Sequence, residues 1–149
     1  MGHTYYSLLF HCVFSTKDRW PQIDKEVQGD LWAYIGGIAR TREVKALAVG
    51  GIDDHVHMLL SLSTVTPVAN IVRQIKAGSS AWMHDERGRQ DFAWQEGYGA
   101  FSIGRSQMND TVAYILNQAE HHHKFDFKTE FIAFLTKHEI EYDPRYVWG

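Results

Sequence analysis

Two histidines separated by one valine are the first residues of this sequence whose types and spacing could do chemistry. His55 and His57 lie in the run HVHMLLSL, which is typical of a β-strand. Because side chains alternate across a strand, both imidazoles are predicted to point to one face, and Val56 and Met58 to the other. Two neutral imidazoles at this spacing can bind one cation. Nine histidines in 149 residues also produce such a pair by chance about half the time, so surface histidines are the competing interpretation.

A second candidate feature lies in a helix predicted from about residue 108 to residue 124. Tyr114, Gln118 and His121 fall on its polar side, one turn apart from each other. The tyrosine hydroxyl is an oxygen nucleophile that needs a base or a metal to activate it, and the Gln118 carbonyl oxygen is a neutral hard ligand. An amphipathic helix with outward polar residues is the competing interpretation. The apolar stripe of this helix is predicted to contain Val112, Ile115, Leu116 and Ala119.

The elements that must position these residues follow a simple order along the chain. Strands are predicted at residues 4–15, 44–52, 55–62 and 98–103, and helices at 24–42, 67–82, 108–124 and 129–138. The order β-α-β-β-α-β predicts an α+β fold of the ferredoxin-like type. Such a fold has a four-stranded antiparallel sheet with two helices on one face, and here additional C-terminal helices follow. The other face, which carries the histidines, is expected to be open, and residues 1–149 are expected to form a single domain.

Composition narrows the classes of protein. The chain is 44% apolar and 22% charged, and no apolar run approaches the ~18 residues of a membrane span. The N-terminal residues lack the features of a signal peptide, and Cys12 is the only cysteine. We therefore expect a cytoplasmic protein with no membrane partner and no intrachain disulfide. A formal net charge of −3 argues against a protein that coats duplex DNA non-specifically, although it allows a local basic groove.

The sequence resembles one known family over nearly its whole length. The matching blocks occur in the family's order: TYYSLLFHCVFSTKDR, DDHVHMLLSL, GYGAFSIGRS, YILNQAEHHHK and HEIEYDPRYVW. They are similar to blocks of the single-tyrosine HUH transposases of the insertion-sequence-200-like family, where HUH denotes His-hydrophobic-His. An H-x-H pair alone is a weak signal, whereas HVH followed at this distance by Y-x-x-x-Q within matching blocks is a strong one. Where the family commonly has a proline this sequence has Asp53, which we expect to alter a turn and not the chemistry.

The resemblance implies a site and a reaction. In the family two histidines and a glutamine hold a divalent metal and a helix tyrosine is the nucleophile, roles that correspond to His55, His57, Gln118 and Tyr114. The implied enzyme is a metal-dependent DNA transposase that cleaves and rejoins single-stranded DNA at element ends through a 5′-phosphotyrosine intermediate, with Mg²⁺ or Mn²⁺. The implied partners are single-stranded DNA with hairpins and a second copy of the chain. In such a homodimer the tyrosine helix can dock against the partner's histidines, with residues 104–106 as the hinge. The alternative that stays open is that Tyr114 lies over the histidines of its own chain.

Three further residues are candidates for supporting the metal ligands or contacting DNA: His121, His122 and Arg105. The tract from His121 to His123 points three ways on a helix, so at most one of its imidazoles would face the glutamine. Supporting and phosphate-contacting roles are therefore favoured over direct metal ligation.

Two other function classes remain open. One is a non-catalytic, domesticated protein that binds nucleic-acid hairpins on the same fold, and the intact candidate residues count against it. The other is a metal-dependent phosphodiesterase that uses water and would not need Tyr114. Three aromatic residues could stack on unpaired bases, although core packing is the favoured interpretation: Trp82, Trp94 and Tyr98.

Overall fold

The computed structural model describes residues 2–122 and 125–148, with the backbone alone at residue 121. In chain order these residues form β1 (Leu9–Ser15), α1 (Lys25–Thr41), β2 (Lys45–Gly51), β3 (His55–Ser61), α2 (Val68–Asp85), β4 (Gly99–Ile103), α3 (Met108–Leu116), α4 (Gln118–His121) and α5 (Phe127–Lys137). Short 3-10 turns lie at Lys17–Arg19 and Arg105–Gln107. His123 and Lys124, which belong to the predicted histidine tract and the predicted third helix, lie outside the described residues.

The four strands form one antiparallel sheet in the order β2-β3-β1-β4. This is the strand order of a ferredoxin-like sheet, so the predicted α+β fold class is confirmed. The two central strands pair along their full length, from Leu9 opposite Ser61 to Ser15 opposite His55. The histidine motif therefore lies at the start of a central strand, β3, which has a neighbouring strand on each side.

The face of the sheet under α1 and α2 holds the main hydrophobic core. Phe14, Met58 and Leu60 are fully buried there and belong to one cluster with Leu31 of α1 and Ile75 of α2. Burying each such side chain contributes about 1.5–3 kcal/mol. The predicted alternation along β3 is confirmed, because its even-numbered residues face this core.

The opposite face is covered by the C-terminal helices, so the expectation of an open face was wrong. Ile115 of α3 packs over Leu59, and Phe127 of α5 belongs to a second apolar cluster on this face. His55 and His57 do share the face, as their spacing predicted, but both are fully buried. The cover is required because apolar residues alternate with the histidines along β1 and β3, and those residues need partners of their own.

The helix that carries the candidate tyrosine is interrupted, which the periodicity did not predict. Asn117 has φ −108° and ψ 28°, so α3 ends at Leu116 and α4 begins at Gln118. Of the predicted apolar stripe Ile115 is fully buried, whereas Leu116 and Ala119 are exposed. The break allows the two halves of the segment to direct their side chains independently.

Other element bounds differ from their predicted positions by a few residues. β1 begins at Leu9 and not at residue 4, because β3 pairs with it only up to Ser61, and Tyr5 before it is 90% exposed. α5 begins two residues earlier than predicted because the Asp126 carboxylate accepts a hydrogen bond from the backbone of Thr129 and caps the helix.

A glycine controls how closely α3 approaches the sheet. A β-carbon on Gly50 of β2 would lie 2.5 Å from the carbonyl oxygen of Ile115. Real β-carbons do not approach an oxygen so closely, so a side chain at this position must displace the helix. Because Tyr114 is the neighbour of Ile115, Gly50 also helps to set the depth at which the candidate nucleophile lies.

Replacing Gly50 with alanine should push α3 away from β2 and lower the free energy of unfolding by about 1–3 kcal/mol. The matched control is Gly36→Ala in α1, where a β-carbon meets nothing within 4 Å. That control should raise the free energy of unfolding by about 0.5–1 kcal/mol, because alanine is the better helix former. Urea denaturation of the two variants measures both effects. A Gly50→Ala variant as stable as the unaltered chain would show that α3 does not rest on β2 at this point.

Candidate active site

Both histidines of the motif are oriented by hydrogen bonds to their Nδ1 atoms. His55 Nδ1 lies 2.7 Å from Oδ1 of Asp54, and His57 Nδ1 lies 2.8 Å from Nε2 of His11 on β1. A carboxylate can only accept, so His55 carries its hydrogen on Nδ1, and its Nε2 keeps a free lone pair. The Nε2 atoms of both histidines point towards α4 and α5, where their contacts lie.

The carbonyl oxygen of Gln118 points at the histidines because of the helix break. The Gln118 side-chain amide donates a hydrogen bond of 3.1 Å to the backbone carbonyl of Tyr114, which the interruption after α3 leaves accessible. With its nitrogen engaged, its Oε1 lies 3.1 Å from Nε2 of His55 and 3.1 Å from Nε2 of His122. Gln118 is itself buried, so this orientation is fixed by the local hydrogen bonds.

A carboxylate that the sequence analysis missed lies at the centre of the site. Glu130 of α5 is only 8% exposed. Its Oε1 lies 2.8 Å from Nε2 of His57 and 3.6 Å from Nε2 of His55. Its Oε2 lies 3.3 Å from Nε2 of His122 and accepts a hydrogen bond from the hydroxyl of Tyr114. Glu130 is thus the side chain that joins the histidine motif to the tyrosine.

A signal for Glu130 was present in the helical pattern of the sequence. It lies three residues after Phe127 and four before Phe134, on the stripe by which α5 packs against the sheet. A charged residue within an apolar stripe is rarely buried unless it has a partner. That pattern indicates a partner and does not say which residues provide it.

Tyr114 is half-buried and lies over the histidines of its own chain. Its ring centroid is 5.7 Å from that of His57 and 5.9 Å from that of Phe134. Burial raises the pKa of the Tyr114 hydroxyl, and the hydrogen bond to the negative Glu130 raises it further. The tyrosine therefore holds its proton, in the hydrogen bond to Glu130.

The three residues proposed for supporting roles have different outcomes. His122 lies in the site, where its ring centroid is 4.5 Å from that of His55. Arg105 is exposed, in the turn before α3. The side chain of His121 lies outside the described residues.

The charges of the site are arranged as metal ligation requires. Burial lowers the pKa of His57 to about 4 and that of His11 to about 3, so both imidazoles are neutral near neutral pH. Burial would raise the pKa of Glu130, but hydrogen bonds from His122, His57 and Tyr114 more than offset it and hold that pKa well below its usual range. An ionised carboxylate beside neutral imidazoles is the protonation state in which these groups bind a metal.

The donor atoms also fit a divalent metal. Because His55 donates from Nδ1 to Asp54, its Nε2 lone pair faces the oxygens of Gln118 and Glu130, and a cation among these atoms would relieve their mutual repulsion. The absence of sulfur among these ligand atoms argues against a structural zinc site. Four side chains each offer one ligand atom within 4.8 Å of the others: His55, His57, His122 and Glu130.

Residues 4–118 match the sequence pattern of the IS200-like transposases, which is more than half of the chain. The chain belongs to this family. The resemblance drawn from its motifs is thereby confirmed, and DNA transposition is its class of activity. The matched stretch contains the histidine motif, Tyr114 and Gln118, and it ends before Glu130.

Individual relatives agree with the family assignment. This transposase is 23% identical over 112 residues to the transposases for insertion sequence element IS200 of Salmonella typhimurium and Salmonella typhi, over 71% of this chain and 74% of each relative. Its fold is similar to that of a transposase candidate from Deinococcus radiodurans, with a TM-score of 0.62 and 22% identity over 79% of this chain and 96% of that one. A REP-associated tyrosine transposase bound to a REP hairpin has a TM-score of 0.56 and 18% identity, over 77% of this chain and 70% of that one.

Two remaining expectations concern the membrane and the aromatic residues. No helix within residues 2–122 and 125–148 is long and apolar enough to span a bilayer. Core packing is confirmed for Trp94, which is buried against Phe14. Trp82 stacks on Tyr34 at a centroid distance of 5.0 Å, and Tyr98 is 38% exposed.

Adding Mn²⁺ to the metal-free transposase should raise its Tm by about 5–10 °C at a concentration about a hundredfold above Kd, because the ligands converge only in the folded chain. His57→Ala should abolish this shift, and it should lower the starting Tm as well because His57 is fully buried. His3→Ala is the control, since His3 is exposed and is not one of the clustered ligands. Thermal unfolding followed by circular dichroism gives both quantities. A full shift in His57→Ala would mean that the stabilising ion binds elsewhere.

Proposed function

We propose that this transposase cleaves and rejoins single-stranded DNA through a covalent 5′-phosphotyrosine link to Tyr114, with the help of a divalent metal. The observation that carries the proposal is the hydrogen bond from the Tyr114 hydroxyl to Glu130, whose other oxygen lies 2.8 Å from His57. A nucleophile, an acceptor for its proton and a cluster of metal-ligand side chains therefore meet in one chain. Membership of the family shows that the chain is a transposase. The chemical steps by which it cuts and rejoins the strand are the proposal.

His55, His57 and Gln118 are the proposed metal ligands, as the family resemblance implies, and Glu130 joins them through Oε1. When bound, Mg²⁺ or Mn²⁺ supplies positive charge that polarises the phosphodiester and stabilises the charge of the transition state. His122 is assigned an orienting role, because its Nε2 lies 3.1 Å from Oε1 of Gln118 and 3.3 Å from Oε2 of Glu130.

The hydrogen bond between His11 and His57 suits this assignment. To act as a ligand, His57 must present an Nε2 lone pair and carry its hydrogen on Nδ1. In the structure Nε2 of His57 donates to Glu130, so ligation requires the hydrogen to move to Nδ1, where Nε2 of His11, 2.8 Å away, can accept it. His11 is thus proposed to fix the ring orientation and tautomer of His57 from the neighbouring strand.

In the proposed cleavage step the Tyr114 oxygen attacks the phosphorus of a DNA phosphodiester. An oxygen–phosphorus bond forms to the tyrosine, and the bond from phosphorus to the 3′-oxygen of the preceding nucleotide breaks. The proton of Tyr114 passes to Oε2 of Glu130, which already accepts its hydrogen bond. The leaving 3′-oxygen takes a proton from water. One oxygen of Glu130 thus faces His57 and the other accepts the hydrogen bond from Tyr114.

Rejoining is the reverse of this step with a different 3′-hydroxyl. The phosphotyrosine conserves the energy of the phosphodiester, so a 3′-hydroxyl can attack it without a nucleotide cofactor. The attacking 3′-hydroxyl loses its proton to water, and Glu130 returns its own proton to the departing tyrosine oxygen. The burial of the cluster beneath α3, α4 and α5 helps to keep water from the link, which would otherwise be hydrolysed.

Single-stranded DNA with hairpins and a second copy of the chain are the proposed partners. The REP-associated relative of similar fold was solved with a REP hairpin, which supports a hairpin substrate here. Strands β2 and β4 form the edges of the sheet, and such edges are commonly paired or covered in an assembly. Two linked sites also suit an enzyme that must cut two element ends. Sedimentation at working concentration tests this homodimer.

Tyr114→Phe should abolish the covalent protein–DNA adduct while binding of a hairpin oligonucleotide persists, because the change removes only the attacking oxygen and its hydrogen bond. The adduct can be trapped with a hairpin-bearing single strand and Mn²⁺ and detected on a denaturing gel. Tyr98→Phe is the matched control, since Tyr98 is similarly half-exposed and lies outside the site, and it should form the adduct normally.

Other outcomes of the adduct-trapping experiment would support a different function or a different nucleophile. An undiminished adduct in Tyr114→Phe would assign the nucleophile to another residue. Cut DNA without any adduct would indicate a phosphodiesterase that uses water. Hairpin binding by the unaltered chain with neither cutting nor adduct would indicate a domesticated binding protein.

A further inference from the structure

A pocket beside Tyr114 borders the proposed metal cluster, and Glu130 and His122 of that cluster are among the residues that line it. It has a volume of about 330 Å³ and lies along α5, and we call it the α5 pocket. Its walls include Phe125, Thr129, Ala133, Phe134 and Lys137, together with the ring of Tyr114. This volume is within the range of roughly 300–1,000 Å³ that is usual for small-molecule sites. Apart from Tyr114, these residues follow the stretch that matches the family.

Tyr114 lies between the α5 pocket and a second pocket of about 280 Å³. Phe134 and Lys137 also line both pockets, so these three residues form the boundary between them. A DNA strand whose phosphate reaches the Tyr114 hydroxyl must continue away from that hydroxyl in its 5′ and its 3′ direction. The two pockets share Tyr114 as a boundary, so each is placed to receive one of these two parts of the strand.

The walls of the α5 pocket suit the flat face of a base. Phe125 is 56% exposed, so its ring is available to a ligand, and Phe134 supplies a second aromatic surface. Stacking on such rings is tolerant of base identity, because every base has a π-face. Beyond the catalytic cluster, the polar side chains of the pocket wall are Thr129 and Lys137, which are too few to read the edge of a base in detail.

The charge at the boundary suits the DNA backbone. Lys137 is exposed and borders both pockets, on a chain whose formal net charge is −3. A cation at this position attracts the backbone that must pass from one pocket to the other, and it partly offsets the negative charge of the nearby Glu130.

We infer that the α5 pocket holds the unpaired base of a nucleotide that adjoins the phosphate attacked by Tyr114, and that Lys137 contacts the backbone at the boundary of the two pockets. The inference rests on the proposed function, because it takes Tyr114 as the point that the phosphate must reach. It adds a binding site for one base beside the metal cluster, with little preference among the four bases.

The test combines removal of the base with blockage of the pocket. The cleavage position is first mapped by sequencing the DNA in Tyr114 adducts, obtained from hairpin-bearing single strands with randomised flanks and Mn²⁺. Substrates are then made with an abasic nucleotide on one or the other side of the scissile phosphate. On one side the missing base should slow cleavage by the unaltered enzyme about tenfold, as expected for the loss of one stacked base.

Ala133→Trp should remove this difference, because its indole occupies the pocket and both substrates are then cleaved at the same reduced rate. Ala133 is exposed on α5, so the change does not disturb the core. Thr136→Trp is the matched control, since Thr136 is exposed on the same helix and lines neither pocket. It should keep the tenfold preference for the intact substrate. A second variant, Phe125→Ala, should weaken that preference by removing one wall.

A binding measurement separates this inference from the proposed function. Oligonucleotides with 2-aminopurine at successive positions are bound in EDTA, and the fluorescence should be quenched at one position by the unaltered enzyme and not by Ala133→Trp. Failure to form any adduct would contradict the proposed function. The quenching measurement would in that case still show whether a base occupies the α5 pocket. Equal sensitivity to the abasic nucleotide, or equal quenching, in Ala133→Trp and Thr136→Trp would overturn the inference.

Discussion

The negative charge of Glu130, almost entirely removed from water, is the constraint on which the rest of the site depends. Taking a carboxylate out of water costs several kcal/mol unless donors replace the lost hydration. Here the donors are His57 of β3, Tyr114 of α3 and His122 after α4. Because these come from three separate elements, α5 can bury its carboxylate only when all of them are in place. The site and the packing of the C-terminal helices therefore form together.

This constraint explains how a sheet face that carries polar histidines can be covered. His55 and His57 lie among apolar residues of β1 and β3, and α3 and α5 must bury the apolar residues without leaving the imidazoles unsatisfied. Asp54 and His11 engage the Nδ1 atoms from the sheet, and Glu130 and Gln118 meet the Nε2 atoms from the helices. The covered face leaves Tyr114 half-buried between two pockets.

Local patterns in the sequence predicted much of this arrangement. Alternation along β3 placed both histidines on one face, and the order of strands and helices predicted the ferredoxin-like sheet. The resemblance, through its motifs, supplied roles for Tyr114 and Gln118, and the structure brings both residues to the histidines.

The remaining features depend on contacts between distant parts of the chain, which periodicity cannot show. Glu130 contacts His57 across a sequence separation of 73 residues, and its helix follows the stretch that matches the family. The interruption at Asn117 accompanies a side-chain hydrogen bond from Gln118 to the carbonyl of Tyr114, a contact that the periodicity of the sequence does not show. The covered sheet face follows from the packing of α5, whose apolar stripe alone did not reveal which surface it would meet.

The central claim is that one chain contains a complete site, with Tyr114 above its own histidines. Mixed dimers of differently tagged chains test it most directly, with purification of the hybrid species before cleavage is measured. A hybrid of an unaltered chain with a His57→Ala, Tyr114→Phe chain should cleave, because the unaltered chain keeps one whole site. A hybrid of a His57→Ala chain with a Tyr114→Phe chain should not cleave. The reverse result, an inactive first hybrid and an active second one, would mean that the tyrosine of each chain serves the histidines of its partner, and would contradict the account.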